Sequence, residues 1–223
     1  MTAAFRQTLR WCTIRRVLLA LVVGLVAFLL LGNALIAAAW QLEARSADDA
    51  PFDVPGVYNF RVVDDRVWRG DAPTDDSLRV LAARGVTTIV DLRAERDVHH
   101  DHVLLHELGL RLVHIPMRDG QAPTESQVRR FLAAVDRGEG PTFVHCGAGV
   151  GRTGTMVAAY QVATGRRSGT AAMRDNLAVG PPSLEQLAFA ARLDGGVDRP
   201  PALLVAASRL LDAPRRIWTV ARD

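Results

Sequence analysis

Lysine is missing from this 223-residue chain, and all 27 of its basic side chains are arginine. That excludes Schiff-base chemistry on lysine, a Ser–Lys dyad, and a phosphate loop of the kind that needs a lysine. Cysteine is nearly missing too: Cys12 and Cys146 are the only two, too few for a disulfide framework. Aromatic residues make up 6%, so the core must be mainly aliphatic. An excess of positive charge is lacking where a nucleic-acid surface would need it. Residues 1–50 carry 5 Arg and 3 acids, 51–197 carry 17 and 18, and 198–223 carry 5 and 3. The formal charge of +3 therefore sits in the two tails, and no concentrated basic face is available to a duplex.

What is present describes one domain and an appendage. Hydrophobic residues at 49% and charged residues at 23% exclude a disordered chain. Residues 17–39 form an uncharged run, interrupted only by the amide of Asn33. At about 1.5 Å per residue, such a run spans a hydrocarbon core of roughly 30 Å. Trp11 and Trp40 flank it at interfacial positions. Arg6, Arg10, Arg15 and Arg16 precede it, against Arg45 alone soon after. The positive-inside rule then puts the N-terminus in the cytoplasm and the rest of the chain outside.

Ala37-Ala38-Ala39 offers the alternative of signal cleavage and secretion, although the run is long for a signal peptide. Arg15-Arg16 resembles a twin-arginine signal without its flanking residues. The expected organisation is a basic stub (1–16), a transmembrane anchor (17–39), a linker with two prolines (40–55), a globular domain (56–195) and a helical tail (196–223). The tail, with Arg209, Arg215, Arg216 and Trp218, suits a membrane surface or packing on the domain.

Within the globular part, strand and helix patterns alternate. Strands are expected at 57–63, 66–69, 87–92, 111–115 and 142–146. Helices are expected at 75–84, 98–108, 124–137, 151–164, 168–176 and 183–193. The fold class is α/β, with a central, largely parallel sheet flanked by helices and preceded by one transmembrane helix.

The informative stretch runs from His145 to Gly154. A strand ends at Cys146, a helix starts near Gly151, and three glycines lie between Cys146 and Arg152. Such a loop can turn its N–H groups of residues 147–151 (Gly147, Ala148, Gly149, Val150, Gly151) into one concavity, and the helix N-terminus adds its positive end. The result is an anion cradle with a sulfur at its base. A free thiol is only a few per cent ionised at neutral pH, and these donors with Arg152 favour the thiolate. The same donors suit the equatorial oxygens of a phosphoryl group, Arg152 bidentately. Thr153 could bond the sulfur as it leaves, and His145 could orient the loop.

This segment resembles the His-Cys-x5-Arg-Ser/Thr signature of the protein tyrosine phosphatase superfamily. The likeness extends over about residues 57–193 and is closest to the compact dual-specificity branch. Val67-Trp68-Arg69-Gly70, the stretch from Leu81 through Gly85 to Arg93, and Pro182-Ser183-Leu184-Glu185-Gln186 are similar to segments of compact members. The resemblance implies a cysteinyl-phosphate mechanism with no metal and no cofactor. It also implies an Asp on a movable loop about thirty residues before the Cys. Asp119, followed by Gly120, fits that place, with Asp97 and Asp101 in reserve.

The expected substrate is a phosphorylated protein or a small phosphomonoester, bearing phosphotyrosine and also phosphoserine or phosphothreonine. Ala148 and Val150 stand where phosphoinositide-directed relatives tend to carry Lys. That weighs against an inositol-lipid or inositol-phosphate substrate without removing it. A silent phosphate-binding module is the other class, and it would lack the Cys, the Arg or the acid. Oligomeric state is left open.

Three features carry weaker readings. Gly149 to Gly154 also fits G-x-G-x-x-G, yet no acid-terminated strand follows it. His99, His100, His102 and His106 cluster, and His102 and His106, one helical turn apart, could share a metal; no third ligand stands at fixed spacing, which favours a solvated helix face. The run Arg93-Ala94-Glu95-Arg96-Asp97 reads as a solvated loop bordering the cleft.

Overall fold

The computed structural model describes residues 3–44, 52–95, 101–198 and 200–220. It divides into two compact units, Met1–Ala38 and Ala39–Asp223. A single helix, α1 (Ala3–Ala44), accounts for the first unit and enters the second. Its stretch Ile14–Leu42 is long and apolar enough to cross a membrane, a property that a signal sequence shares. Large apolar side chains such as Leu19, Leu30 and Leu31 are exposed along it.

The second unit is built on a five-stranded sheet in the order β1-β2-β5-β3-β4. The strands are β1 (Arg61–Val62), β2 (Val67–Gly70), β3 (Thr88–Arg93), β4 (Arg111–Met117) and β5 (Thr142–His145). Strands β2 to β5 pair in parallel, and β1 pairs antiparallel with β2. The sheet is thus mixed at one edge rather than parallel throughout. The helices are α2 (Asp75–Ala83), α3 (His102–Glu107), α4 (Glu125–Asp136), α5 (Gly151–Ala163), α6 (Gly169–Val179), α7 (Leu184–Ala191) and α8 (Ala202–Val220).

Alternation along β5 fixes the layers. Phe143 joins Trp68, Leu81, Ile89 and Leu104 in a core beneath α2 and α3. Val144 faces the other way, among Phe131, Met156, Tyr160 and Phe189 from α4, α5 and α7. A strand buried on both faces puts its carboxyl end, and the loop after it, at the centre of the sheet's upper edge, where ligands of open α/β sheets bind.

Helix starts follow local chemistry. Thr74, Asp101, Thr124, Ser168 and Ser183 cap α2, α3, α4, α6 and α7 by accepting a backbone N–H. Thr124 with Gln127, and Ser183 with Gln186, complete capping boxes. Helix α5 differs. Its N-cap, Val150, has no side chain to accept a bond, so its first N–H groups are not claimed by a side-chain cap.

The expected strand over 57–63 shrinks to β1. Asn59 adopts a left-handed φ of 54° and breaks the extended run, and its amide is used elsewhere, as described below. Helix α8 packs on α7: Ser208, Leu211 and Asp212 are buried, and the Ser208 hydroxyl accepts the Glu185 N–H at 3.0 Å. The side chains of Arg215, Arg216 and Trp218 lie outside the described residues. After α5 the chain continues into α6 with no intervening strand, so the dinucleotide reading of Gly149 to Gly154 has no second strand to use.

Candidate active site

Cys146 follows β5 directly and is buried with 3% exposure. The loop after it owes its shape to what holds its carbonyls. Gly147 O accepts from Ala72 N at 3.4 Å, and Ala148 O from the Asn59 amide at 2.9 Å. Gly149 O and Val150 O accept from Arg69 Nη2 at 2.5 and 3.4 Å. A trans peptide points its C=O and the following N–H in opposite directions, and no peptide bond here is cis. Four carbonyls bonded outward therefore turn the N–H groups of residues 148–151 inward.

Gly149 is required twice. Its φ is +70°, and a Cβ there would lie 2.5 Å from the carbonyl carbon of Gly70. Gly149→Ala is expected to destabilise the fold by about 1–3 kcal/mol, from strain and backbone clash together. Urea unfolding would measure the loss. An unchanged midpoint would mean that the loop has room the structure does not show.

Arg152, one residue into α5, is 4% exposed and lies above this loop. A Cβ on Gly147 would come within 3.7 Å of its Nη2. Its Nη1 is occupied by Glu95 (2.8 and 2.9 Å to the two carboxylate oxygens) and by Met117 O (3.2 Å). Its Nε is buried and makes no hydrogen bond; the Asp119 carboxylate is 3.4 Å from it. Burial works to lower the Arg152 pKa. The bond from Glu95 and the charges of Cys146 and Asp119 outweigh it, so the guanidinium is held above its ordinary value. Glu95 is correspondingly held low: burial opposes its charge, but the bond to Arg152 prevails. One edge of the guanidinium is thus clamped, while the Nε side has no hydrogen-bond partner.

Asp119 follows β4 on an exposed loop, with Gly120 at φ 72°. That loop is tied down just beyond the acid. Gly120 O accepts from Ser183 Oγ at 2.7 Å, Gln121 O from Gln186 Nε2 at 3.3 Å, and Ala122 N donates to Glu185 Oε1 at 3.1 Å. Gln186 also packs against Gly151, where a Cβ would meet its Oε1 at 2.5 Å. The start of α7 therefore holds the Asp119 loop against the start of α5. Glu185 carries this link onward, since Arg209 of α8 is 3.5 Å from its other oxygen.

His145 is 1% exposed. Its Nδ1 is 3.3 Å from Cys146 O, and its Nε2 is 3.9 Å from Asp91. Asp91 is fully buried. Burial opposes its charge, but its bonds from Arg93, at 2.8 and 3.0 Å, and the nearby His145 hold its carboxyl below the usual range. Thr153 Oγ1 is buried and makes no hydrogen bond, to the sulfur or to any other atom.

The structure thus brings Cys146, residues 147–151, Arg152 and Asp119 to one place. Of the reserve acids, Asp101 is engaged as the cap of α3, accepting Leu104 N at 2.9 Å, and Asp97 lies outside the described residues. His99, His100 and Arg96 lie outside them as well. Among the described residues, no three of His, Cys, Asp and Glu gather as metal ligands. Arg69, Asn59 and Glu95 were not expected as site residues: the first two act from the β1–β2 region, and Glu95 looked like part of a solvated run.

The described geometry can be set beside known proteins. The family described as DSP-PTPase phosphatase fused to NAD+ kinase matches residues 59–192. Among curated relatives, the probable NAD kinase 2, chloroplastic, of Oryza sativa subsp. japonica is 39% identical over 101 residues, 42% of this chain and 10% of that protein. The dual specificity protein phosphatase CDC14C of Homo sapiens is 39% identical over 75 residues, 34% of this chain and 16% of that one. The chain spans about a tenth of the length of the rice protein and about a sixth of the human one. Among solved structures, the core catalytic domain of the PP-IP phosphatase SIW14 from S. cerevisiae aligns with a TM-score of 0.49 at 19% identity. The alignment covers 76% of this chain and 96% of that one. The match over residues 59–192 places this chain in the DSP-PTPase family, and with it in the cysteine-dependent protein tyrosine phosphatase superfamily.

Proposed function

We propose that this chain hydrolyses phosphomonoesters through a cysteinyl-phosphate intermediate, and that its substrates are phosphoproteins bearing phosphotyrosine and also phosphoserine or phosphothreonine. The observation that carries the reading is the Arg152 guanidinium, clamped on one edge by Glu95 and Met117 O, with a buried Nε that makes no hydrogen bond above a ring of inward N–H groups. A phosphoryl dianion satisfies both sets of donors. In the first step the Cys146 sulfur bonds to phosphorus and the P–O ester bond breaks. Asp119 gives its proton to the departing oxygen. In the second step water bonds to phosphorus and the S–P bond breaks, with Asp119 accepting the water's proton. The Thr153 hydroxyl, which has no other partner, is available to the departing sulfur.

The phosphoprotein preference rests on the loop side chains. Gly147, Ala148, Gly149, Val150 and Gly151 add no cation, leaving Arg152 as the loop's one charged donor, which suits a single phosphoryl group. The test is a substrate panel on the full chain in detergent with chelator present. Aryl phosphate and phosphopeptides are expected to turn over faster than inositol phosphates or phosphoinositides. The reverse order would assign the inositol class, and binding without turnover would assign a silent module.

Residues 17–39 are proposed to anchor the domain, with the N-terminus cytoplasmic and the phosphatase outside. This placement is supported by the length and hydropathy of Ile14–Leu42 and the arginines before it. Protease added to intact cells should then digest the domain, and an undigested domain would reverse the orientation.

A further inference from the structure

Counting charge along the chain hides a concentration of it in space. Residues 51–197 carry more acids than arginines. Yet Arg111, Arg129, Arg130 and Arg137 line one groove of about 440 Å³ beside β4, an edge strand of the sheet. All four are exposed. No carboxylate lines this groove, and none of Cys146, Arg152 and Asp119 does.

Its walls are α4 and β4, which run in opposite directions and are stitched together. Gln127 Nε2 donates to Pro116 O at 2.7 Å, Arg130 Nη2 to His114 O at 2.9 Å, and Arg111 Nη2 to Ala134 O at 2.9 Å. Ser126, Arg129, Arg130, Ala133 and Arg137 recur at helical spacing and share one side of α4. The groove therefore follows the 12 residues of α4 for about 18 Å, from the end where the Asp119 loop enters the helix. The partners of its arginines leave their charge uncompensated. Arg111 and Arg130 meet only uncharged acceptors: Ala134 O, His114 O and, at 3.1 Å, Thr88 Oγ1. Among the described residues, Glu125 is the one carboxylate paired with any of the four. It meets Arg129 on the surface, where the two side chains are 63% and 68% exposed. An exposed pair of that kind contributes little and exchanges readily for another acid.

We infer that this groove docks an acidic stretch of the phosphoprotein substrate, flanking the residue whose phosphate enters the Cys146 loop. The inference deepens the phosphoprotein reading and rests on it. Shape favours a polypeptide: one extended chain of about five or six residues, at about 3.3 Å each, fills the length of α4. Its carboxylates would meet guanidiniums that now face water. A bilayer is flat, and a duplex needs a broad basic face rather than a narrow channel. Strand β4 ties the groove to the chemistry. Its last residue, Met117, offers its carbonyl to Arg152 Nη1 at 3.2 Å, and Asp119 follows two positions on.

The test uses the full chain in detergent and pairs of phosphopeptides. The two members of a pair differ only in a run of about five residues, glutamate in one and glutamine in the other, placed before or after the phosphorylated residue. The ratio of their kcat/KM values, acidic over neutral, should reach roughly tenfold on one side and shrink as salt rises. It should fall towards one in Arg129→Gln with Arg137→Gln, and a folding defect cancels in the ratio. Arg129→Glu with Arg137→Glu should invert the preference, so that an arginine-flanked peptide outruns the acidic one. A ratio near one in the wild type, or a ratio that both double variants leave unchanged, overturns the docking role. Tighter binding of a single-stranded oligonucleotide than of the acidic peptide, through the same arginines, overturns it in favour of nucleic acid.

Should no phosphopeptide turn over, the phosphoprotein reading fails. The groove is then read from an unphosphorylated acidic peptide. Fluorescence anisotropy should show it binding the wild type, and binding roughly tenfold more weakly to the Arg129→Gln, Arg137→Gln variant. No binding, or equal binding by the two proteins, overturns the groove as well.

Discussion

Cys146→Ser is expected to lose aryl phosphate hydrolysis by about 10³-fold or more while still binding phosphate or vanadate. The two halves of this result have separate causes. A serine hydroxyl at that position is far less ionised than a thiol near neutral pH, so the attacking atom is lost. The N–H groups of residues 148–151 and the guanidinium of Arg152 stay, because the bonds that set them come from Ala72, Asn59, Arg69 and Glu95. Single-turnover kinetics and phosphate binding by calorimetry measure the two halves. Hydrolysis at the wild-type rate in the serine variant would reject a covalent intermediate on this residue. Loss of binding along with turnover would mean that the sulfur, not the loop, organises the cradle.

Asp119→Asn should separate substrates by their leaving groups. The amide cannot supply a proton, so an alkyl phosphate such as phosphoserine is expected to lose about 10²–10⁴-fold in kcat/KM, which reports the first step alone. A nitrophenyl phosphate, whose leaving oxygen needs little protonation, should lose much less. Plotting log kcat/KM against leaving-group acidity for both enzymes gives the measurement: a shallow dependence in the wild type and a steep one in the variant. Parallel lines would assign proton donation to another group. The carboxylate is exposed and 3.4 Å from Arg152 Nε, so the substitution removes little packing. The bonds that fix the loop fall on Gly120, Gln121 and Ala122, so a general loosening is not the expected cause.

What could be read in the sequence was local. Cys146 and Arg152 are separated by five residues of a glycine-rich turn, and their relation is set within that turn. Helices α4 and α7 announce themselves through Thr124 with Gln127 and Ser183 with Gln186, three residues apart. What could not be read depends on distance along the chain. Arg69 reaches Gly149 across 80 positions, and Glu95 reaches Arg152 across 57. In one dimension, a charge in a loop looks the same whether it is solvated or clamped to a buried guanidinium.

The strand expected over residues 57–63 shows the competing effect. Its β-branched and aromatic residues suit a strand, but Asn59 leaves the extended region, and its amide meets Ala148 O across 89 positions. Tertiary demand overrode local preference. The expected bond from Thr153 to the sulfur is not made in the structure, since its hydroxyl has no partner.

The outward anchoring of the carbonyls at residues 147–150 has a consequence for how this protein can change. The grip on a tetrahedral dianion that we propose for it is written largely in main-chain amides, which point mutations do not edit. Side chains at 148 and 150 can therefore drift, and retune which alcohol the phosphate came from, without forfeiting the grip itself. Apart from Gly149 and Arg152, the sensitive positions are remote. A change at Asn59 or Arg69 rewrites the cradle from outside it, so variants that ruin the chemistry should turn up in the first hairpin as readily as beside the sulfur.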